Sequence, residues 1–130
     1  MSERIFVFLG ALNMFLAVAA GAFGAHGLRS ILSPEMLAVW HTAVTYQVAH
    51  ALGLLAIAAL GARYGYGASN LWNLAGWLMF AGIVLFSGSL YLLSGTGVRW
   101  LGAITPIGGA AFLAAWALVA WAALRGMAGN

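Results

Sequence analysis

Few side chains in this chain are equipped for chemistry. It has three histidines, two glutamates, no aspartate and no cysteine. Without aspartate a Ser-His-Asp set is impossible. Without cysteine there is no thiolate nucleophile, cysteine-ligated cluster or disulfide. Glu3 and Glu35 flank a full apolar run, so they belong at opposite ends of it and are not a carboxylate pair. The glycine-rich stretches are not followed by Lys-Ser/Thr, which excludes a phosphate loop. His50 is left as the one strongly titratable side chain deep inside an apolar run, with Tyr46 and Gln47 close by in sequence. An ionisable residue in such a place is a functional hypothesis by default. The chemistry open to it is proton relay or ligand contact. The plainer reading is a neutral histidine bonded to Asn13, Tyr91 or a serine of another helix.

Three further residues form a second candidate set. His26 and His41 fall near one end of their runs, with Glu35 between them. Two imidazoles and a carboxylate are a conceivable zinc or copper set, although the spacing matches no known ligand motif. A haem held by His26 and His50 is less consistent, because the two should sit at different depths. Neither a metal nor another cofactor is expected.

The elements that must position these residues follow from charge. All seven charged side chains lie in gaps between four apolar runs, at residues 5–25, 40–60, 71–93 and 101–124. A charge at the centre of a membrane helix costs roughly 2.5–3.5 kcal/mol on insertion scales, so spanning segments exclude it. The composition is 65% hydrophobic and 5% charged, against about 25% charged in soluble domains. Crossing a hydrocarbon core of about 30 Å takes about 20 helical residues, and each run is long enough. The first run exceeds the roughly 7–15 residues of a signal peptide core, so it reads as a span. The prediction is an all-α, integral membrane four-helix bundle forming a single domain over residues 1–130.

Local signals refine the ends. Leu28, Ile31 and Leu32 suggest an interfacial helical turn after the first span. Ser33-Pro34-Glu35 reads as a helix start, with a serine cap, a first-turn proline and an acid at the positive end. Residues 94–100 read as a glycine-rich turn. Pro106 fits the first turn of the fourth helix, and Gly108-Gly109 suggest a kink there or close approach of a neighbour. Trp40, Tyr64, Tyr66, Trp72, Trp100 and Trp121 lie near span ends, as interfacial aromatic belts do. Arg4, Arg63 and Arg125 on one side outnumber Arg29 and Arg99 on the other, which favours cytoplasmic termini. The net charge of +3 comes from arginines spread over the gaps, so no nucleic-acid surface is expected.

Helical spacing then sorts the polar and small residues onto inward faces. Gly10, Asn13, Ala17, Gly21 and Gly24 form a small-residue stripe suited to close packing. Tyr46 and His50 share a face of the second run, with Gln47 beside it, while His41 points roughly the other way. Ser87 and Tyr91 lie on one face of the third run, with Ser89 turned away from it. Thr105, Gly108, Gly109, Phe112 and Trp116 fall on one side of the fourth.

Four stretches recur together in one known family. They are Gly21-Ala22-Phe23-Gly24-Ala25-His26-Gly27-Leu28, Thr42-Ala43-Val44-Thr45-Tyr46-Gln47-Val48-Ala49-His50-Ala51-Leu52, Leu85-Phe86-Ser87-Gly88-Ser89-Leu90-Tyr91 and Ile104-Thr105-Pro106-Ile107-Gly108-Gly109. In this order the chain resembles a family of small bacterial inner-membrane proteins (domain of unknown function 423), to which transmembrane protein 256 of animals is similar. The resemblance implies a multi-pass membrane protein of about this size and brings no substrate, cofactor or catalytic residue. The leading functional expectation is a non-enzymatic membrane protein that acts by packing with itself, with lipid or with a membrane-protein partner. The alternative is a small-solute or proton conduit around His50; a weaker one is metal or haem binding at His26 and His41.

Overall fold

Long apolar runs fold as helices because a lipid-exposed backbone must satisfy its own hydrogen bonds, and the proline within these runs, Pro106, falls in a first turn where it breaks none. The computed structural model describes residues 2–64 and 69–128. Helix α1 (Ser2–His26) leads through a 3₁₀ turn (Leu28–Ser30) into α2 (Pro34–Tyr64). Helix α3 (Ser69–Gly82), a π-helical turn (Ile83–Ser87) and α4 (Gly88–Thr96) follow one another as a single rod. A second 3₁₀ turn (Arg99–Ala103) precedes α5 (Thr105–Ala128). Four rods are long and apolar enough to cross a membrane: Glu3–His26, Pro34–Gly61, Asn70–Thr96 and Arg99–Arg125. The runs at 5–25, 40–60, 71–93 and 101–124 lie inside them, and no strand occurs among the described residues.

The helix ends follow local chemistry. Ser33 Oγ accepts the Met36 N–H at 3.2 Å, as expected of the cap that starts α2. Helix α4 runs further than the glycine-rich sequence suggests, to Thr96. It stops at Gly97, whose φ of 75° is left-handed and whose N–H donates to the Leu93 carbonyl at 2.8 Å. A side chain at that φ would be strained, so glycine ends the helix here. Helix α5 continues unbroken through Gly108 and Gly109, so that pair makes no break in it.

Helix α2 is the centre of the bundle. The most apolar stretch of its span is 44% buried, against 22% for the span containing α5. Helix α1 packs along α2, and α5 along α3. The core gathers Phe6, Leu54, Ile57, Met79, Ile83 and Phe112. Lipid tails are as apolar as leucine, so close fit rather than water exclusion must hold such helices together. Missing side chains make that fit. A Cβ on Gly76 would strike the Phe6 ring, and one on Gly10 would come within 2.8 Å of Leu55.

Two tryptophans depart from the belt expectation. The Trp72 indole is buried and donates to the Ile57 carbonyl at 2.7 Å. The Trp40 indole donates to the Ala20 carbonyl at 2.8 Å, joining α2 to α1. An indole N–H in a dry interior needs an acceptor, and in these two cases the acceptor is a neighbouring backbone. Trp100 and Trp121 remain exposed, and the side chains of Tyr64 and Tyr66 lie outside those described.

Candidate intramembrane site

The inward polar residues separate into two groups on either side of α2. Gln47 and His50 are three residues apart and lie only about 60° apart around α2, yet that offset is enough to turn them to different neighbours.

The first group is a closed chain of amides between α1, α2 and α4. Asn13 donates through Nδ2 to the Leu9 carbonyl at 2.8 Å, and its Oδ1 accepts from Gln47 Nε2 at 3.0 Å. Gln47 Oε1 accepts from the Tyr91 hydroxyl at 2.6 Å. The Tyr91 ring meets Trp40 edge-on at 4.6 Å. Ser87 stands outside this chain and donates to the Ala43 carbonyl of α2 at 2.8 Å.

The second group is aromatic and lies between α2, the π turn and α5. The expected partners of His50 were Asn13, Tyr91 or a serine, and the structure corrects this. His50 Nδ1 is 2.8 Å from the Tyr46 carbonyl, and Trp116 Nε1 donates to His50 Nε2 at 3.0 Å. An indole can only donate, so Nε2 is an acceptor and the proton sits on Nδ1. The Phe112 ring stacks on the imidazole at 3.5 Å, and Phe86 packs on Tyr46 at 4.3 Å, but Tyr46, expected on the inward face, is exposed at the edge of the bundle. The partner is an indole because Phe112 and Trp116, one turn apart on α5, bring two large rings to the face where His50 emerges.

The π turn sets this arrangement. It carries one more residue per turn than an α-helix. Phe86 and Ser87, adjacent in sequence and so well separated around the axis, serve different neighbours: Phe86 the aromatic group, Ser87 the α2 backbone. Gly108 of α5 lies against the turn itself. A Cβ there would strike the Phe86 amide nitrogen and come within 2.8 Å of its Cα. Ser89 faces away from Ser87, as expected, but is buried against α5. Its Oγ donates to the Phe86 carbonyl at 2.9 Å and accepts from Thr105 Oγ1 at 2.6 Å.

Beside His50 an apolar cavity of about 520 Å³ opens through the side of the bundle. Tyr46, His50, Phe86, Pro106, Gly109, Ala110, Phe112, Leu113 and Trp116 line it. Gly109, grouped by sequence with the packing residues, borders this space: a Cβ there would meet nothing nearer than Phe86 at 3.9 Å. The other small residues do sit at helix contacts. Ala17 is buried, Gly21 faces Val44, and Gly24 lies under the Trp40 ring.

The rim residues do not converge. His26, Glu35 and His41 are exposed, and Glu35 pairs with Arg99 at 3.7 Å. Among the described residues no three His, Cys, Asp or Glu side chains group as metal ligands would. The sequence pointed to the inward faces but not to Trp116 as the partner of His50, nor to the Trp40 and Trp72 indole bonds or the Ser89–Thr105 pair. Helical spacing identifies a face and not the atom opposite it.

The sequence profile of a family described as "Protein of unknown function (DUF423)" matches residues 20–109. The chain belongs to the DUF423 family. The matched stretch contains the resembling motifs from Gly21 to Gly109, and with them Gln47, His50, Ser87 and Tyr91; Phe112 and Trp116 lie beyond it. The UPF0382 membrane protein YwdK of Bacillus subtilis is 53% identical over 123 residues, covering 94% of this chain and 98% of that protein. A UPF0382 membrane protein of Staphylococcus saprophyticus is 53% identical over 116 residues, covering 89% and 93%. One from Staphylococcus epidermidis is 52% identical over 122 residues, covering 94% and 97%. No solved structure matches. This DUF423 chain is thus a membrane protein, and four helices among its described residues are long and apolar enough to span the bilayer.

Proposed function

We propose that the protein is a non-enzymatic, multi-pass component of the bacterial inner membrane, with both termini in the cytoplasm, that acts by packing its outer faces against lipid. One observation carries this reading. Among the described residues every buried side-chain nitrogen and oxygen already has a hydrogen-bond partner inside the bundle. Reaction centres and water-filled paths keep polar atoms in reserve for a substrate or for water. Here the amide chain ends on the Leu9 carbonyl, and both nitrogens of His50 are engaged. The outer faces, by contrast, carry long apolar side chains such as Phe15, Val18, Ile107 and Leu113.

The conduit reading makes the opposite demand and supplies the test. Protein is reconstituted in liposomes holding a pH-sensitive dye, and the outside is acidified. The expected result is a leak equal to that of empty vesicles. Protein-dependent collapse of the gradient, altered in His50→Ala, would replace this reading with a conduit. For orientation, a reporter enzyme active only outside the cytoplasm should stay silent when fused after Asn130.

A further inference from the structure

The groove beside His50 has a length, a lining and a rim charge that together specify an occupant. Two links join α2 to the α5 side of the bundle, and the lining begins after the first of them, with Arg99 seven residues before Pro106 and Glu35 eleven before Tyr46. At one end Glu35 faces Arg99, in the turn before α5; at the other His50 meets Trp116. Between them, the α5 residues that line the cavity run from Pro106 to Trp116. Ten residues of helix rise about 15 Å, which is one leaflet's share of a hydrocarbon core about 30 Å thick. The α5 wall of the groove therefore matches the depth of a single leaflet, with the Arg99–Glu35 pair beyond its Pro106 end.

Its lining suits hydrocarbon. The polar atoms of His50 and Trp116 are spent on each other and on the Tyr46 carbonyl, which leaves the Tyr46 hydroxyl in a lining otherwise of ring faces, Pro106, Leu113, Ala110 and the bare backbone of Gly109. The volume of about 520 Å³ is within the range of about 300–1,000 Å³ typical of ligand pockets. At the rim, the Arg99 side chain is 76% exposed and its carboxylate partner is 3.7 Å away. An exposed pair of that length contributes little, whereas a guanidinium binds a phosphate through two parallel hydrogen bonds. We infer that the groove holds one acyl chain of an anionic phospholipid, with its phosphate beside Arg99. This rests on the lipid-packing function proposed above and names the lipid class and the site.

The test uses the full chain in phosphatidylcholine vesicles carrying a trace of phospholipid spin-labelled near the chain end, with either a phosphatidylglycerol or a phosphatidylcholine headgroup. Electron paramagnetic resonance reads the motionally restricted fraction. Wild type should restrict the glycerol lipid at least twofold more than the choline lipid. Ala110→Trp fills the groove from its lip and should lower the restricted stoichiometry by the one lipid that the groove holds. Leu113→Trp, at a second exposed lining position, should do the same, and circular dichroism checks that each is folded. Arg99→Gln should keep restriction but equalise the two headgroups. A folded filled variant with undiminished signal overturns the site. A preference for the glycerol lipid that survives in Arg99→Gln overturns the headgroup assignment. Either result leaves the non-conducting reading intact; collapse of the pH gradient would overturn that reading whatever the lipid signal.

Discussion

The two seams of α2 are both joined by side-chain hydrogen bonds and end in opposite states. Toward α1 and α4, Asn13, Gln47 and Tyr91 form a chain in which each side chain fixes the next, and the helices close over it. Toward α5, His50 and Trp116 are just as well bonded, yet a cavity remains beside them. Hydrogen bonding alone does not decide whether a seam closes. Small residues on α1 let the backbones approach, whereas Phe86, Phe112 and Trp116 hold α5 away from α2 and leave the gap over Gly109. Small side chains close one seam, and large rings prop the other.

That contrast can be broken at several points. The largest effect should come from Gly108→Val, which drives a side chain into the Phe86 backbone where nothing flexible can yield. A loss of about 3 kcal/mol is expected for such overpacking, read by thermal unfolding in detergent. An unchanged melting point would mean that α5 is not seated on the π turn. Next is Gln47→Leu, which strips a partner from both Asn13 and Tyr91. Hydrogen bonds between membrane helices average about 0.6 kcal/mol and reach about 1.7, so a loss of about 1–2 kcal/mol is expected. A double-mutant cycle with Tyr91→Phe should show non-additivity, and simple additivity would argue against a linked chain. Trp116→Phe, which costs the open seam one hydrogen bond, should lose about 0.6 kcal/mol. If it costs as much as Gln47→Leu, the two seams are not energetically distinct. The smallest change should be Gly109→Ala, within about 0.5 kcal/mol, since its Cβ enters open space.

Much of the fold was legible because its signals are local or bulk. Seven charges confined to gaps marked four spans without reference to any contact. Ser33 could be read as a cap because its partner is three residues away. The inward positions of Asn13, Gln47, Tyr91 and His50 followed from helical spacing. Their pairing did not, since Gln47 and Tyr91 are 44 residues apart and His50 and Trp116 are 66 apart. Trp40 and Trp72 sit where belt residues sit, and only the presence of a carbonyl within reach of each indole turns them inward. The π turn had no cue at all: Ile83–Ser87 is an apolar stretch without proline or glycine.

That turn also has a meaning in terms of angular phase. One additional residue offsets everything after it by about 100° around the helix axis relative to an uninterrupted α-helix. The third rod is thus two helices out of phase with each other, fused end to end. Up to Ile83 its inner edge is Trp72, Ala75 and Met79, in the apolar core; from Ser87 onward the inner edge is Ser87, Leu90, Tyr91 and Ser94, toward α2. Deleting one residue between 83 and 87 would leave an ordinary α-helix with Tyr91 still facing Gln47, whereas winding all five residues as α-helix would swing Tyr91 about 100° away from it.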